Sequence, residues 1–140
     1  MSKLHRYLGV SCALIHDGKI LVVRRSLDDD FLAGYYELPG GKLDPGETEE
    51  DAIRREMAEE VGLRVEPVKR YRKFEYQAGP NSVGTDLEYL VRLADGEDIE
   101  KLKLSDEHDD YKWVSPDDLS KLARITPEKV EGIKQAFANV

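Results

Sequence analysis

The chain has 140 residues and a mass of 15.9 kDa, enough for one compact domain spanning residues 1–140 and too little for two ordinary ones. Its 21 basic and 29 acidic side chains leave a net charge of −8, which excludes the basic footprint of a nucleic-acid polymer binder and adhesion to an anionic membrane. Hydrophobic residues make up 40% of the chain and fall in periodic blocks, which excludes intrinsic disorder.

The first apolar run, Leu8 to Ile15, is too short to span a bilayer and reads as a strand, not a signal sequence. The expected compartment is therefore the cytoplasm. Cys12 lies inside this run as a small buried hydrophobe. As the one cysteine, it excludes an internal disulfide and a cysteine-based metal cluster. Asp17-Gly18 joins Leu8–His16 to Lys19–Arg25 as a β-hairpin. Ser26 to Gly34 reads as a loop, and Tyr35 to Leu38 as a short strand stopped by Pro39-Gly40-Gly41.

One strong helix follows. Thr48 with Asp51 resembles a capping box, Gly62 supplies the C-terminal stop, and Ala52, Ile53, Met57 and Val61 form the apolar stripe. Val65–Tyr76 and Leu87–Leu93 read as strands around Gly79-Pro80-Asn81, and Tyr111–Val114 as the last strand. Ser115-Pro116 opens a short helix, and Thr126-Pro127 opens a C-terminal helix to about Ala138. This order predicts an α/β (α+β) fold, a mixed sheet flanked by helices.

The helix carries the chemistry. At about 100° per residue, with Ile53 at zero, Glu60 falls near −20°, Glu56 near −60° and Glu59 near −120°. Three carboxylates therefore border the apolar stripe within one arc, and Arg55, near 200°, cannot neutralise all three. A solvated acidic face is the plain reading for Glu49, Glu50 and Asp51, which complement the helix dipole from the first turn. Glu56, Glu59 and Glu60 lie late in the helix, where the dipole disfavours acids. A hard divalent cation, Mg²⁺ or Mn²⁺, suits such a carboxylate set.

Gly41, five residues, Glu47, seven residues, then Arg55-Glu56-Met57-Ala58-Glu59-Glu60-Val61-Gly62-Leu63 resembles the Nudix box in every specified position. With this composition, a chance match is on the order of one in a million. The resemblance extends to element order and length, and points to the MutT-like branch. It implies a Nudix fold and a hydrolase that cleaves a nucleoside diphosphate linked to another group, using water and Mg²⁺ or Mn²⁺. It also implies metal ligation by the Gly40 carbonyl, Glu56, Glu59 and Glu60. Arg55 would orient the catalytic glutamate, Glu56 is the first choice of base, and Gly41, Glu47 and Gly62 would support the box.

Outside the box, the resemblance implies a further catalytic acid near residue 107, serving as metal ligand or alternative base. Glu107 is the candidate, in a loop that also offers Asp106, Asp109 and Asp110. The neighbouring His108 reads as a loop residue. Arg24 or Arg25 suits substrate phosphate through bidentate donors, and Glu37 is placed to coordinate or buttress the substrate site. The basic, aromatic run Lys69–Phe74 reads as strand alternation with one face outward, and Trp113 and Tyr111 as core.

The leading reading is a MutT-like nucleoside triphosphate pyrophosphohydrolase for oxidised purine nucleotides, acting on a small nucleotide. ADP-ribose hydrolysis competes within the class, through Pro80, which follows the box after sixteen intervening residues. A non-catalytic nucleotide sensor is the rival of another class, although such relatives generally lose box carboxylates and this chain keeps them. Base specificity is expected from two loops, Ser26 to Gly34 and Asn81 to Asp86. The net charge resolves into two acidic clusters, residues 46–60 and 106–118, each at −5.

Overall fold

The computed structural model describes residues 3–140. Strand β1 (His5–His16) turns at Asp17 and Gly18, both at positive φ, into β2 (Lys19–Arg25). Paired positive φ angles are what a tight hairpin with right-handed strand twist requires. Two short strands follow, β3 (Tyr36–Glu37) and β4 (Gly40–Lys42), then helix α1 (Glu49–Val61). The long hairpin β5 (Val65–Gly79) and β6 (Ser82–Leu93) leads through a 3₁₀ turn at Ile99–Lys101 to β7 (His108–Val114). Helices α2 (Pro116–Leu119) and α3 (Pro127–Ala138) complete the chain.

The sheet is mixed, as the element order predicts. Its main path runs β3-β2-β1-β6-β5, with β4 on β1 and β7 on β2. β1 and β6 are parallel from His5↔Ser82 to Leu14↔Val91, and every other pairing is antiparallel. The central strands are covered on both faces, which explains their unbroken apolar runs. Val10, Cys12, Leu14, Leu21 and Val23 face α1, where Ala52, Ile53, Met57 and Val61 complete one core. The alternate residues Ala13, Ile20 and Val22 face the other way, into a second core closed by Leu119, Ile133 and Ala136. Trp113 packs at the margin of the first core, whereas Tyr111, expected in the core, is exposed on β7.

Local chemistry sets the helix ends. Thr48 Oγ1 accepts the Asp51 N–H at 3.1 Å, giving the forward half of a capping box. Ser115 and Asp118 form the full reciprocal box at the start of α2. Gly62 stops α1 at φ 69°, in the left-handed region that favours glycine.

The structure corrects several sequence expectations. The short strand does end before Pro39, but Gly40-Gly41 is not part of the stop: Gly40–Lys42 is itself β4, paired with Gly9–Ser11 of β1. The two strands approach so closely that a side chain at Gly40 would collide with the Val10 carbonyl oxygen. Asn81–Asp86 is not a loop, since only residues 80 and 81 form the turn and β6 begins at Ser82. The last strand starts at His108, which moves His108, Asp109 and Asp110 out of the loop and onto β7.

Because Ile53 is fully buried between α1 and the sheet, Ile53→Ala should lower unfolding free energy by about 2–5 kcal/mol. Urea denaturation checks this, and a change below about 1 kcal/mol would mean that the site collapses freely around the missing atoms.

Candidate active site

Arg55 organises the turn between β4 and α1. Its Nε and Nη2 donate to the two oxygens of Glu47 at 2.8 and 2.9 Å, a bidentate pair. Nη2 also donates to the Lys42 carbonyl at 3.0 Å, while Nη1 reaches Glu56 at 2.9 Å and Glu59 at 3.2 Å. Glu47 also accepts the Asp44 N–H at 2.9 Å. The Arg55 hydrogen bonds, with that backbone N–H, hold the Glu47 carboxyl down at about 2.

The three late carboxylates of α1 differ in environment. Glu56 is 11% exposed at its side chain and Glu59 is 60% exposed, so Glu59 lies out in solvent on Arg55. Gly41 packs directly on Glu56, where an added Cβ would stand 2.5 Å from Oε1. Burial raises the Glu56 carboxyl although Arg55 opposes it. Glu60 is out of reach of Arg55, and its Oε2 accepts the Gly40 N–H at 2.9 Å. Burial, with the charges of Glu56, Glu107 and Glu37, pushes Glu60 up to about 9.

Facing Glu60 are the groups brought by β7 and the turn before it. Glu60, Glu107 and His108 each offer a ligand atom, and these atoms lie within 4.8 Å of one another. A buried carboxylate with one backbone donor, beside a second carboxylate, fits a hard divalent cation. His108 is buried, contrary to the loop reading, and its Nε2 lies 2.9 Å from Glu37 Oε2. Its Nδ1 is buried with no hydrogen-bond partner among the described residues. Glu37 also receives Arg25 at 3.3 Å and faces Lys129 at 3.9 Å. Burial raises the Glu37 carboxyl, but the His108 hydrogen bond, with Lys129 and Arg25, holds it below the usual range.

Of the two arginines, Arg25 lines the cavity beside this cluster. Arg24 does not line it, because Asp109 takes its Nε at 2.7 Å on the paired strand. Asp110 is likewise engaged, accepting the Tyr36 hydroxyl at 2.9 Å. Glu107 is thus the acid of the segment that reaches Glu60.

The cavity has a volume of about 860 Å³ and continues from Gly40, Gly41 and Glu60 across the open face of the sheet. Phe31, Phe74 and Tyr76 supply aromatic walls. Ser11, Asp86 and Glu88 lie on adjoining strands, and Ser11 Oγ stands 2.9 and 2.7 Å from the two Asp86 oxygens. Arg72 donates to Glu88 at 2.8 Å and to the Glu128 carbonyl at 3.1 Å. Burial, then repulsion from Asp86, pushes Glu88 to about 7 against the pull of Arg72. Sequence reasoning missed Ser11, Arg72, Glu88 and Lys129, and placed Asp86 only at the end of a specificity loop that is in fact strand β6. The available signal was two acids at alternate positions entering an apolar strand, Asp86-Leu87-Glu88. Pro80, in the hairpin turn, does not line the cavity.

Comparison with known proteins places this geometry. The NUDIX domain model matches residues 5–136. The chain belongs to the NUDIX domain family. It is 39% identical over 88 residues to the putative 8-oxo-dGTP diphosphatase 2 of Mycobacterium tuberculosis H37Rv, covering 63% of this chain and 62% of that protein. The nucleoside triphosphatase NudI of Escherichia coli O9:H4 is 29% identical over 126 residues, covering 79% and 83%. The match thus spans somewhat less than two thirds of the diphosphatase. Among solved structures, a MutT NUDIX hydrolase from Burkholderia pseudomallei superposes with TM-score 0.77 at 27% identity, covering 94% and 98%. The MutT protein of Methanosarcina mazei Go1 superposes with TM-score 0.81 at 21% identity, covering 99% and 98%, which shows the shared fold. No helix among the described residues is long and apolar enough to cross a membrane.

The NUDIX helix makes a pH prediction. Glu60 sits at about 9 in the fold against 4.5 when unfolded, so the fold favours its protonated form. Its contribution is complete below pH 4.5 and is lost as pH rises through about 9. With chelator present, the melting temperature should decline across this window, and Glu60→Gln should flatten the decline. Equal slopes in the two proteins would refute the assignment.

Proposed function

We propose that this NUDIX protein is a nucleoside triphosphate pyrophosphohydrolase dependent on Mg²⁺ or Mn²⁺, releasing a nucleoside monophosphate and pyrophosphate. The observation that carries the reading is the buried, under-partnered Glu60 beside Glu56 and Glu107, at the end of a cavity roomy enough for a nucleotide. The substrate class is an oxidised guanine nucleotide, in keeping with the 8-oxo-dGTP diphosphatase names of similar proteins. The compartment proposed is the cytoplasm.

The Gly40 carbonyl, Glu56, Glu59 and Glu60 are the proposed metal-holding groups, with Glu107 adjoining. A divalent cation held there supplies charge neutralisation for the phosphates and lowers the pKa of an attacking water. Glu56 takes the proton of that water as general base. The water oxygen bonds to one phosphorus of the anhydride bridge between the monophosphate and pyrophosphate portions, the bridging P–O bond breaks, and its electron pair leaves with the other portion. Arg55 positions Glu56 through their 2.9 Å contact and fixes the loop through Glu47. Arg25, beside the cluster, is the proposed phosphate contact; Arg24 is not, since Asp109 holds it. Glu37 buttresses Arg25 and His108.

The test is a panel of nucleoside triphosphates, oxidised purine nucleotides and ADP-ribose with Mg²⁺, with the products identified. Monophosphate and pyrophosphate should form from triphosphates, and Glu56→Gln should cut kcat by about 10²–10⁴-fold with the fold intact by circular dichroism. Binding without turnover would instead support a nucleotide sensor. Mg²⁺ should also raise the wild-type melting temperature, and raise it less in Glu60→Gln. Equal shifts would remove Glu60 from the metal site.

A further inference from the structure

Within the cavity, the acids are not equivalent. Glu37 is surrounded by Arg25, His108 and Lys129, and Glu88 is engaged by Arg72. Gly132 of α3 presses on the Glu88–Arg72 pair, so that pair clamps the helix to the sheet. Asp86 differs: its hydrogen-bond partner is the Ser11 hydroxyl, which has one proton to give and lies within reach of both carboxylate oxygens. An ionised carboxylate offers about four acceptor sites, so Asp86, which lines the cavity with the charges of Lys129 and Arg72 nearby, keeps acceptor capacity beyond the single proton of Ser11.

Position supports the same conclusion. Ser11 pairs across β1–β4 with Gly40, the residue whose N–H holds Glu60. One strand residue therefore ties Asp86 to the proposed phosphate-cleaving end through a rigid ladder. Aromatic walls at Phe74 and Tyr76 flank the acid on the neighbouring strand. A planar base ring fits such walls, and its polar edge needs donors to meet a carboxylate.

We propose that Asp86, oriented by Ser11, is the specificity-determining residue for the base, selecting a purine that presents two adjacent N–H donors on one edge. This inference rests on the nucleotide-hydrolase reading of the cavity and adds the group that reads the base. Guanine and its oxidised form carry that paired edge, a ring N–H beside an exocyclic amine. Hypoxanthine lacks the amine. Xanthine replaces it with a carbonyl, which sets two acceptors against each other, and leaving buried acceptors unpaired or opposed is a strong basis for rejection.

The test is equilibrium binding of the α,β-methylene analogues of GTP, ITP and XTP, by calorimetry with Mg²⁺, together with hydrolysis of GTP itself. The wild type should bind the GTP analogue about tenfold or more tightly than the ITP analogue, and about a hundredfold more tightly than the XTP analogue. Asp86→Asn, which presents one donor and one acceptor, should reverse the order of the GTP and XTP analogues. A merely structural role for Asp86 would weaken all three equally. Equal wild-type affinities, or an unchanged order in Asp86→Asn, would overturn the proposal. If that variant fails to fold, the wild-type order alone decides. Discrimination in binding without hydrolysis of GTP or of any oxidised purine nucleotide would sustain the assignment of Asp86 while removing the hydrolase reading.

Discussion

The site depends on one guanidinium. Arg55 holds Glu47, Glu56, Glu59 and the Lys42 carbonyl at once, so a single planar cation joins the β4–α1 loop to the helix. Without it, Glu47 and Glu56 would face each other across the loop with no counter-charge. A lysine carries the same charge but lacks the rigid fork that satisfies Glu47 bidentately while still reaching Glu56. Gly41 is bound to the same arrangement, since Glu56 occupies the space that a side chain there would need.

What Arg55 does not reach is equally informative. Glu60 lies one helical turn beyond Glu56, on the side toward β7, and keeps a backbone N–H as its hydrogen-bond donor. Burying a carboxylate with so little compensation is costly, and a fold selected for stability alone would place an apolar residue there. The stripe of Ile53, Met57 and Val61 beside it shows how readily the helix accommodates one. Glu60 is thus a local conflict between packing and charge, the kind that proteins keep at working sites.

The box, both hairpin strands, the helix ends and the two-faced core were legible because each follows from local periodicity or capping. Val10, Cys12 and Leu14 alternate with Ala13 along β1, and that alternation alone predicts helices on both sides. The rest was set by pairing partners distant in sequence. Gly40–Lys42 looks like a breaker until β1 lies beside it, and His108 looks solvated until β2 pairs with β7. Arg24 and Arg25 are indistinguishable by composition. Strand alternation sends one toward Asp109 and the other toward Glu37, a choice of face that depends on register.

The same logic gives meaning to the two acidic clusters, residues 46–60 and 106–118. They are far apart along the chain, yet Glu60 and Glu107 come together because Ser105 donates its N–H to the Glu60 carbonyl at 3.0 Å. That backbone bond fixes the turn before β7 on the end of α1 and sets the carboxylates side by side. Two clusters of like charge would separate if solvation governed their placement. They are held together by main-chain geometry and the surrounding core, so their repulsion remains available to be relieved by a bound cation. The charge of −8 therefore disfavours polyanions at the surface, while its concentration at Glu60 and Glu107 suits a divalent cation at one point in the fold.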